Sequence, residues 1–194
     1  VVRKGELTRQ AILDVAVRQA RYSGLSGLTI GSLATAADMS KSGLYAHFKS
    51  KEALQLACME RNGEQFIDEV IRPALAKPRG ITRLQAIVEY WMQWYSHPGG
   101  CLFLAAAAEF DDLPGPLHDF MASEQRELLE SLARIAGTAV SQGEFPEDTD
   151  VFQVAQEVFG ILLSYNWMSR ILSYPDAADR AWTAFNRLID SLRS

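Results

Sequence analysis

Apolar residues recur three and four positions apart along nearly the whole chain, from the stripe Ile12, Ala16 and Ala20 near the start to Ala181, Phe185, Leu188 and Leu192 near the end. That spacing puts them on one face of a helix, and no stretch sustains the alternation a strand needs. An all-α fold is expected. With 194 residues, 48% of them apolar, the chain has enough material to bury a core.

Local signals divide the pattern into segments. Thr8 is read as the cap of a first helix that ends at Ser23-Gly24; short helices follow Thr29 and Ser40; Ser50 caps a longer helix running to about Val70, with Pro73 and Pro78 beyond it. Further helices are expected over 81–95, 101–110, 117–142, 151–173 and 175–192, separated by His97-Pro98-Gly99-Gly100, by Pro114-Gly115-Pro116 and by the polar stretch 143–150. A membrane helix needs about 20 apolar residues, and the runs here are broken sooner. Val1-Val2-Arg3-Lys4-Gly5-Glu6 leads into a polar helix without an apolar leader, so a cytoplasmic location and no membrane partner are expected. Cys58 and Cys101 are the two cysteines and suggest no disulfide framework.

Charge is distributed unevenly. The net charge is −5, yet residues 1–51 carry eight basic against three acidic side chains, and residues 52–194 carry 11 against 21. A basic head on an acidic body is what a chain needs if one end meets phosphate.

Within that head, Ile30 to Phe48 has helix-turn-helix spacing. Two short helices crossing steeply need a small residue where their backbones meet, here Ala34, and apolar wedges, here Leu33, Met39, Leu44 and Phe48. The turn between them calls for a left-handed residue, and Asp38 stands where glycine is usual; Asp tolerates that conformation better than most. Ser40 would then cap a recognition helix whose first turn presents Lys41, Ser42 and Gly43 to the major groove. Tyr45 and His47 suit phosphate contacts, and Thr29 and Lys51 stand at helix starts.

The run Thr29-Ile30 to Ala34, then Met39-Ser40-Lys41-Ser42-Gly43-Leu44-Tyr45-Ala46-His47-Phe48 and Lys51-Glu52-Ala53-Leu54, resembles the amino-terminal domain of the TetR family of transcriptional regulators over about residues 7–55. The resemblance implies a DNA-binding domain over 1–50 and an effector-binding and dimerisation domain over 51–194. Carried over by position, it implies DNA contacts at Thr29, Ser40, Lys41, Ser42, Gly43, Tyr45, His47 and Lys51, a double-stranded operator, a small-molecule effector, and repression relieved by ligand. Gly99 to Phe103 with Glu109 to Asp112 and Pro114-Gly115-Pro116 also resembles the C-terminal domain of one subgroup of that family.

An effector pocket in a helical body is lined by large apolar groups with a few polar ones for orientation. Candidates are Trp91, Trp94, Tyr95, Phe103, Glu109, Phe110, Phe120, Met121, Phe159, Tyr165 and Asn166. The apolar faces Phe152, Ala155, Phe159, Leu162, Leu163 and Ala181, Trp182, Phe185, Leu188, Ile189 either close the chain's own core or, as the resemblance implies, join a homodimer. No cofactor motif is read. The main rival is an enzyme using His97, Cys101 and His118 through a metal or thiol, although their spacing fits no ligand pattern. A helical interaction protein without DNA is the other rival, and it leaves the basic head without a role.

Overall fold

A computed structural model describes residues 4–193, with side chains from Thr8 onward; Val1, Val2 and Arg3 of the amino-terminal stretch lie outside the described residues. Helices run over Lys4–Ser23 (α1), Ile30–Ala36 (α2), Lys41–His47 (α3), Lys51–Phe66 (α4), Arg72–Leu75 (α5), Ile81–Tyr95 (α6), Leu102–Phe110 (α7), Pro116–Ser141 (α8), Val151–Asn166 (α9) and Ala177–Arg193 (α10). No strand occurs among the described residues, and the all-α expectation holds. Nor is any helix among them long and apolar enough to cross a membrane.

Two local expectations need correction. Thr8 does not mark the start of α1, which is already helical from Lys4. A threonine can cap only where the helix has not begun, and nothing in Lys4 to Leu7 stops it. Pro73, expected beyond the helix, sits in α5 directly after a π-helical turn, Ile67–Ile71. Proline lacks an N–H, and its ring crowds the carbonyl four residues back; the wider turn gives that ring room. A second π turn, Trp167–Ile171, follows α9, so the segment expected as one helix over 151–173 changes winding near its end.

The chain forms two compact units, one comprising residues up to Phe66 with His97–Ser123, the other Ile67–Ser96 with residues from Glu124. In the first, α1 packs on α4 and α2, α2 on α3, and α7 on both α1 and α4. Its core joins Ile12, Leu13, Ala16, Val17 and Ala20 of α1 with Leu33, Ala34, Leu44 and Phe48, and takes in Leu102, Ala106, Leu117 and Met121. A polar seam adds direction: Asp14 accepts from Arg61 Nε and Gln65 Nε2, each at 2.8 Å, and Arg61 also pairs with Glu64. The hydrogen bond to Asp14, and then that to Glu64, holds the Arg61 guanidinium even more firmly protonated than usual.

In the second unit, α6 packs on α5, on the first π turn and on α9, and α9 packs on α10. Glu144 caps α6 by accepting the Ile81 amide at 2.7 Å, and Thr138 Oγ1 accepts that of Gly80 at 2.9 Å. Gly80 has φ +92°, and a Cβ there would collide with the Glu144 carboxylate.

Candidate nucleic-acid interface

The helix-turn-helix is built by its caps. Thr29 Oγ1 accepts the Ser32 amide at 3.0 Å while Ser32 Oγ accepts the Thr29 amide at 3.2 Å, a reciprocal box that fixes the start of α2. At the turn, Asp38 is left-handed with φ 51°, and Met39 donates its amide to Ala34 at 2.9 Å. Leu33 and Leu44 are fully buried, Ala34 and Phe48 nearly so, and Met39 packs against them as the wedge requires. Ser40 Oγ then accepts the Gly43 amide at 3.1 Å and opens α3. A Cβ on Gly43 would stand 3.1 Å from that same oxygen, so the glycine protects the cap as well as slimming the helix.

The side chains expected to face DNA lie on one accessible stretch. Ser40, Lys41, Ser42 and Tyr45 are exposed, and Tyr45 keeps 55% of its surface open. Among the described residues the Tyr45 hydroxyl has no hydrogen-bond partner. Lys41 reaches back over α2, where its Cε would lie 3.5 Å from a Cβ on Gly31. His47 is half-buried, its ring 6.3 Å from that of Phe48. Thr29 is exposed but spends its hydroxyl on the cap. Lys51 Nζ donates to the Ser26 carbonyl at 2.7 Å, which leaves its remaining N–H donors for another acceptor.

Sequence reasoning missed what holds the turn before α2. Glu109 of α7 accepts the amides of Leu25 and Ser26, and Gln55 Nε2 donates to the Leu25 carbonyl at 2.9 Å. No sequence signal marks this, since the partners lie far apart along the chain. Glu109, expected to orient an effector, is thus committed to backbone amides.

The other effector candidates separate. Phe103, Phe110, Phe120 and Met121 pack on the core of the first unit. In the second, Trp91 and Trp94 are buried, Trp91 meets Tyr95 at 6.3 Å and Phe159 at 6.0 Å, and Tyr95 stacks on Tyr165 at 6.4 Å. Asn166 follows directly, with a buried Oδ1 that no hydrogen-bond donor among the described residues meets.

Of the dimer candidates, Ala155, Leu162, Ala181, Phe185, Leu188 and Ile189 are buried within the chain; Phe159, Leu163 and Trp182 are half-buried, and Phe152 is 51% exposed. Trp182 meets Phe185 edge-on at 5.7 Å. Between α9 and α10 runs an open groove of ≈ 630 Å³ whose lining mixes small residues such as Gly160, Ala181 and Ala184 with Tyr165, Met168 and the charged Glu157, Arg180 and Arg187.

The residues of the enzyme reading fall in the first unit. Cys101 precedes α7, His118 Nδ1 lies 3.3 Å from Asp119, and His97 accepts the Gly100 amide through its carbonyl. Among the described residues no three His, Cys, Asp or Glu side chains are grouped to hold a metal ion. Cys58 is fully buried in the first unit, and burial pushes its thiol up to about 12, opposed in part by Arg21.

Comparison with known proteins fits this geometry. The family described as bacterial regulatory proteins, tetR family, matches residues 12–58, and the tetracyclin repressor-like C-terminal domain family matches residues 80–185. Among curated protein sequences none matches the chain. A TetR-family transcriptional regulator from Cytophaga hutchinsonii superposes with a TM-score of 0.86 at 21% identity, covering 99% of this chain and 98% of that one. A TetR regulator from Chloroflexus aurantiacus J-10-FL gives 0.83 at 25% identity, covering 96% and 94%. AibR, solved in complex with isovaleryl coenzyme A and operator DNA, gives 0.68 at 21% identity, covering 95% and 97%. Two family domains, one on the helix-turn-helix and one on more than half of the chain, agree with the caps and the turn: the chain belongs to the TetR family of DNA-binding transcription regulators.

Proposed function

We propose that the chain is a ligand-responsive repressor that binds a palindromic operator as a homodimer in the cytoplasm and is released by a small molecule. The carrying observation is the capped helix α3, which holds Ser40, Lys41, Ser42 and Tyr45 exposed together on the net-positive part of the chain. Lys41 and Ser42 would read base edges; Tyr45, His47, Thr29 and Lys51 would meet phosphates, and Gly43 would let the helix lie close. On this reading the functional division falls near residue 50, with DNA binding before it and effector binding and dimerisation after it.

The aromatic group of Trp91, Tyr95, Phe159 and Tyr165 supports an effector site in the second unit. AibR, a similar structure bound to both an acyl-coenzyme A and operator DNA, supports the pairing of the two activities in one chain of this shape. The open groove between α9 and α10, with half-buried Trp182 and exposed Phe152 on the same two helices, supports self-association through these helices. Release would follow if ligand favours an arrangement in which the recognition helices no longer match two half-sites, which requires different affinities for the two arrangements.

Selection from a random duplex pool tests this. Enrichment of a short palindrome with half-sites spaced by about one helical turn, roughly 34–36 Å, is the expected result, with sedimentation at twice the chain mass. A folded chain that enriches nothing, or stays a monomer at micromolar concentration, overturns it.

A further inference from the structure

Arg9 lies on α1, outside the residues that sequence reasoning assigned to DNA. Its Cζ stands 5.3 Å from the centre of the Phe48 ring, the residue that ends α3. Phe48 is almost wholly buried, and Arg9, itself half-buried, stands over its ring as part of that cover. Attraction to the ring places the cation, and a guanidinium held by its charge over a ring does not use its N–H donors on a hydrogen-bond acceptor. Among the described residues no carboxylate or other acceptor is bonded to those groups.

The contrast within the same unit is informative. Arg61 spends its donors on Asp14 and Glu64, and Arg21 reaches Asn62 and Gln65. Of these three, Arg9 is the one whose guanidinium is placed by a ring and has no hydrogen-bond or ion-pair partner among the described residues, and exposed Lys49 follows Phe48 directly. An unneutralised planar fork, anchored where the recognition helix ends, suits the oxygens of a phosphate.

We propose that Arg9 is a further DNA contact, a backbone-phosphate clamp held by Phe48 that fixes the register of α3 in the groove. The inference rests on the DNA-binding reading above. A merely structural role predicts that an apolar replacement covering Phe48 is harmless to electrostatics, so the test reads charge rather than affinity alone.

The variants are Arg9→Met, which keeps a long apolar cover and a thioether contact with the ring, and Arg9→Lys, which keeps the charge. The full chain is titrated onto a DNA duplex of arbitrary sequence over a range of salt. The slope of log affinity against log salt should become shallower by about 0.9 per bound head in Arg9→Met and stay near wild type in Arg9→Lys. Should the methionine variant melt early, Arg9→Gln against Arg9→Lys reads the same difference. Equal slopes in folded wild type and charge-removed variant overturn the clamp alone. A wild-type chain without salt-dependent binding overturns both the clamp and the reading it rests on.

Discussion

Glu109 grips Ser26: its Oε2 accepts the Ser26 backbone amide at 2.7 Å, while Oε1 takes that of Leu25 at 3.0 Å. Ser26 falls in the stretch matched by the amino-terminal regulator family and Glu109 in that matched by the C-terminal one, so this carboxylate ties the two family modules together inside a single compact unit. Lys51 and Gln55 complete the hold by donating to the Ser26 and Leu25 carbonyls. Gly24 makes the approach possible; its φ is +73°, and a Cβ there would come within 2.5 Å of Glu109 Oε1.

Removing that carboxylate should therefore loosen the turn before α2. A hydrogen bond to a charged group is worth about 1.5–3 kcal/mol, less where water competes, as at exposed Ser26. Glu109→Ala is expected to cost about 1–3 kcal/mol in urea melts and to speed hydrogen exchange at the Leu25 and Ser26 amides. Glu109→Gln, which keeps one acceptor oxygen, should cost less. Unchanged melts and exchange would show that the grip contributes nothing.

Asp38 offers a backbone test. A left-handed conformation costs an L-residue roughly 1–2 kcal/mol, moderated for Asp by its short polar side chain, while glycine gives back part of its gain through unfolded-state entropy. Asp38→Gly should stabilise by roughly 0.5 kcal/mol and Asp38→Val should destabilise by roughly 1–2 kcal/mol. Paired denaturant melts decide it; a destabilising glycine would mean that Asp38 makes a compensating contact.

Much of the fold could be read directly because its punctuation is local. Thr29, Ser40 and Ser50 accept amides at the helix starts where they were expected, and the bounds of Ile81–Tyr95 match because Gly80 and His97-Pro98 interrupt the pattern on either side. What escaped is non-local or involves winding. A π turn leaves apolar spacing almost unchanged, so neither the route through Pro73 nor the turn after Asn166 has a sequence mark. Periodicity also cannot say which core a large side chain joins. Phe103, Phe110 and Phe120 looked equivalent to Trp91, Tyr95 and Phe159, yet they pack in different units. Glu109 looked like a ligand-orienting acid because its amide partners lie more than eighty residues away.

Cys58 gives stability a pH dependence of known sign. Its folded-state thiol is held up to about 12 by burial, whereas a thiol in an unfolded chain ionises near about 8.5. Below that lower value both states hold the proton and nothing is lost. Above it the unfolded state binds fewer protons, so stability falls as pH rises toward about 12, at up to ~1.4 kcal/mol per pH unit. Urea melts of wild type and Cys58→Ala at about pH 8, 9 and 10 should diverge by that slope; parallel slopes would contradict it.

Base reading and phosphate contact should separate at Lys41 and Tyr45. Lys41→Ala is expected to weaken binding to the selected operator by about 1–3 kcal/mol and to relax preference at one position. Tyr45→Phe removes a single hydroxyl and should weaken all sequences alike, by about 0.5–1.5 kcal/mol. Competition binding against operator variants distinguishes the two. A uniform effect of Lys41→Ala would move that residue to the phosphate group.

The most direct check on DNA binding is fluorescence anisotropy of the full chain on a labelled duplex carrying the selected sequence, at about 50 mM and about 200 mM salt. If a homodimer neutralises roughly 6–10 phosphates through its two heads, affinity should fall about 10³-fold or more between the two conditions. A folded chain that fails to bind at the lower salt, or binds with the same affinity at both, would contradict the DNA-binding role itself.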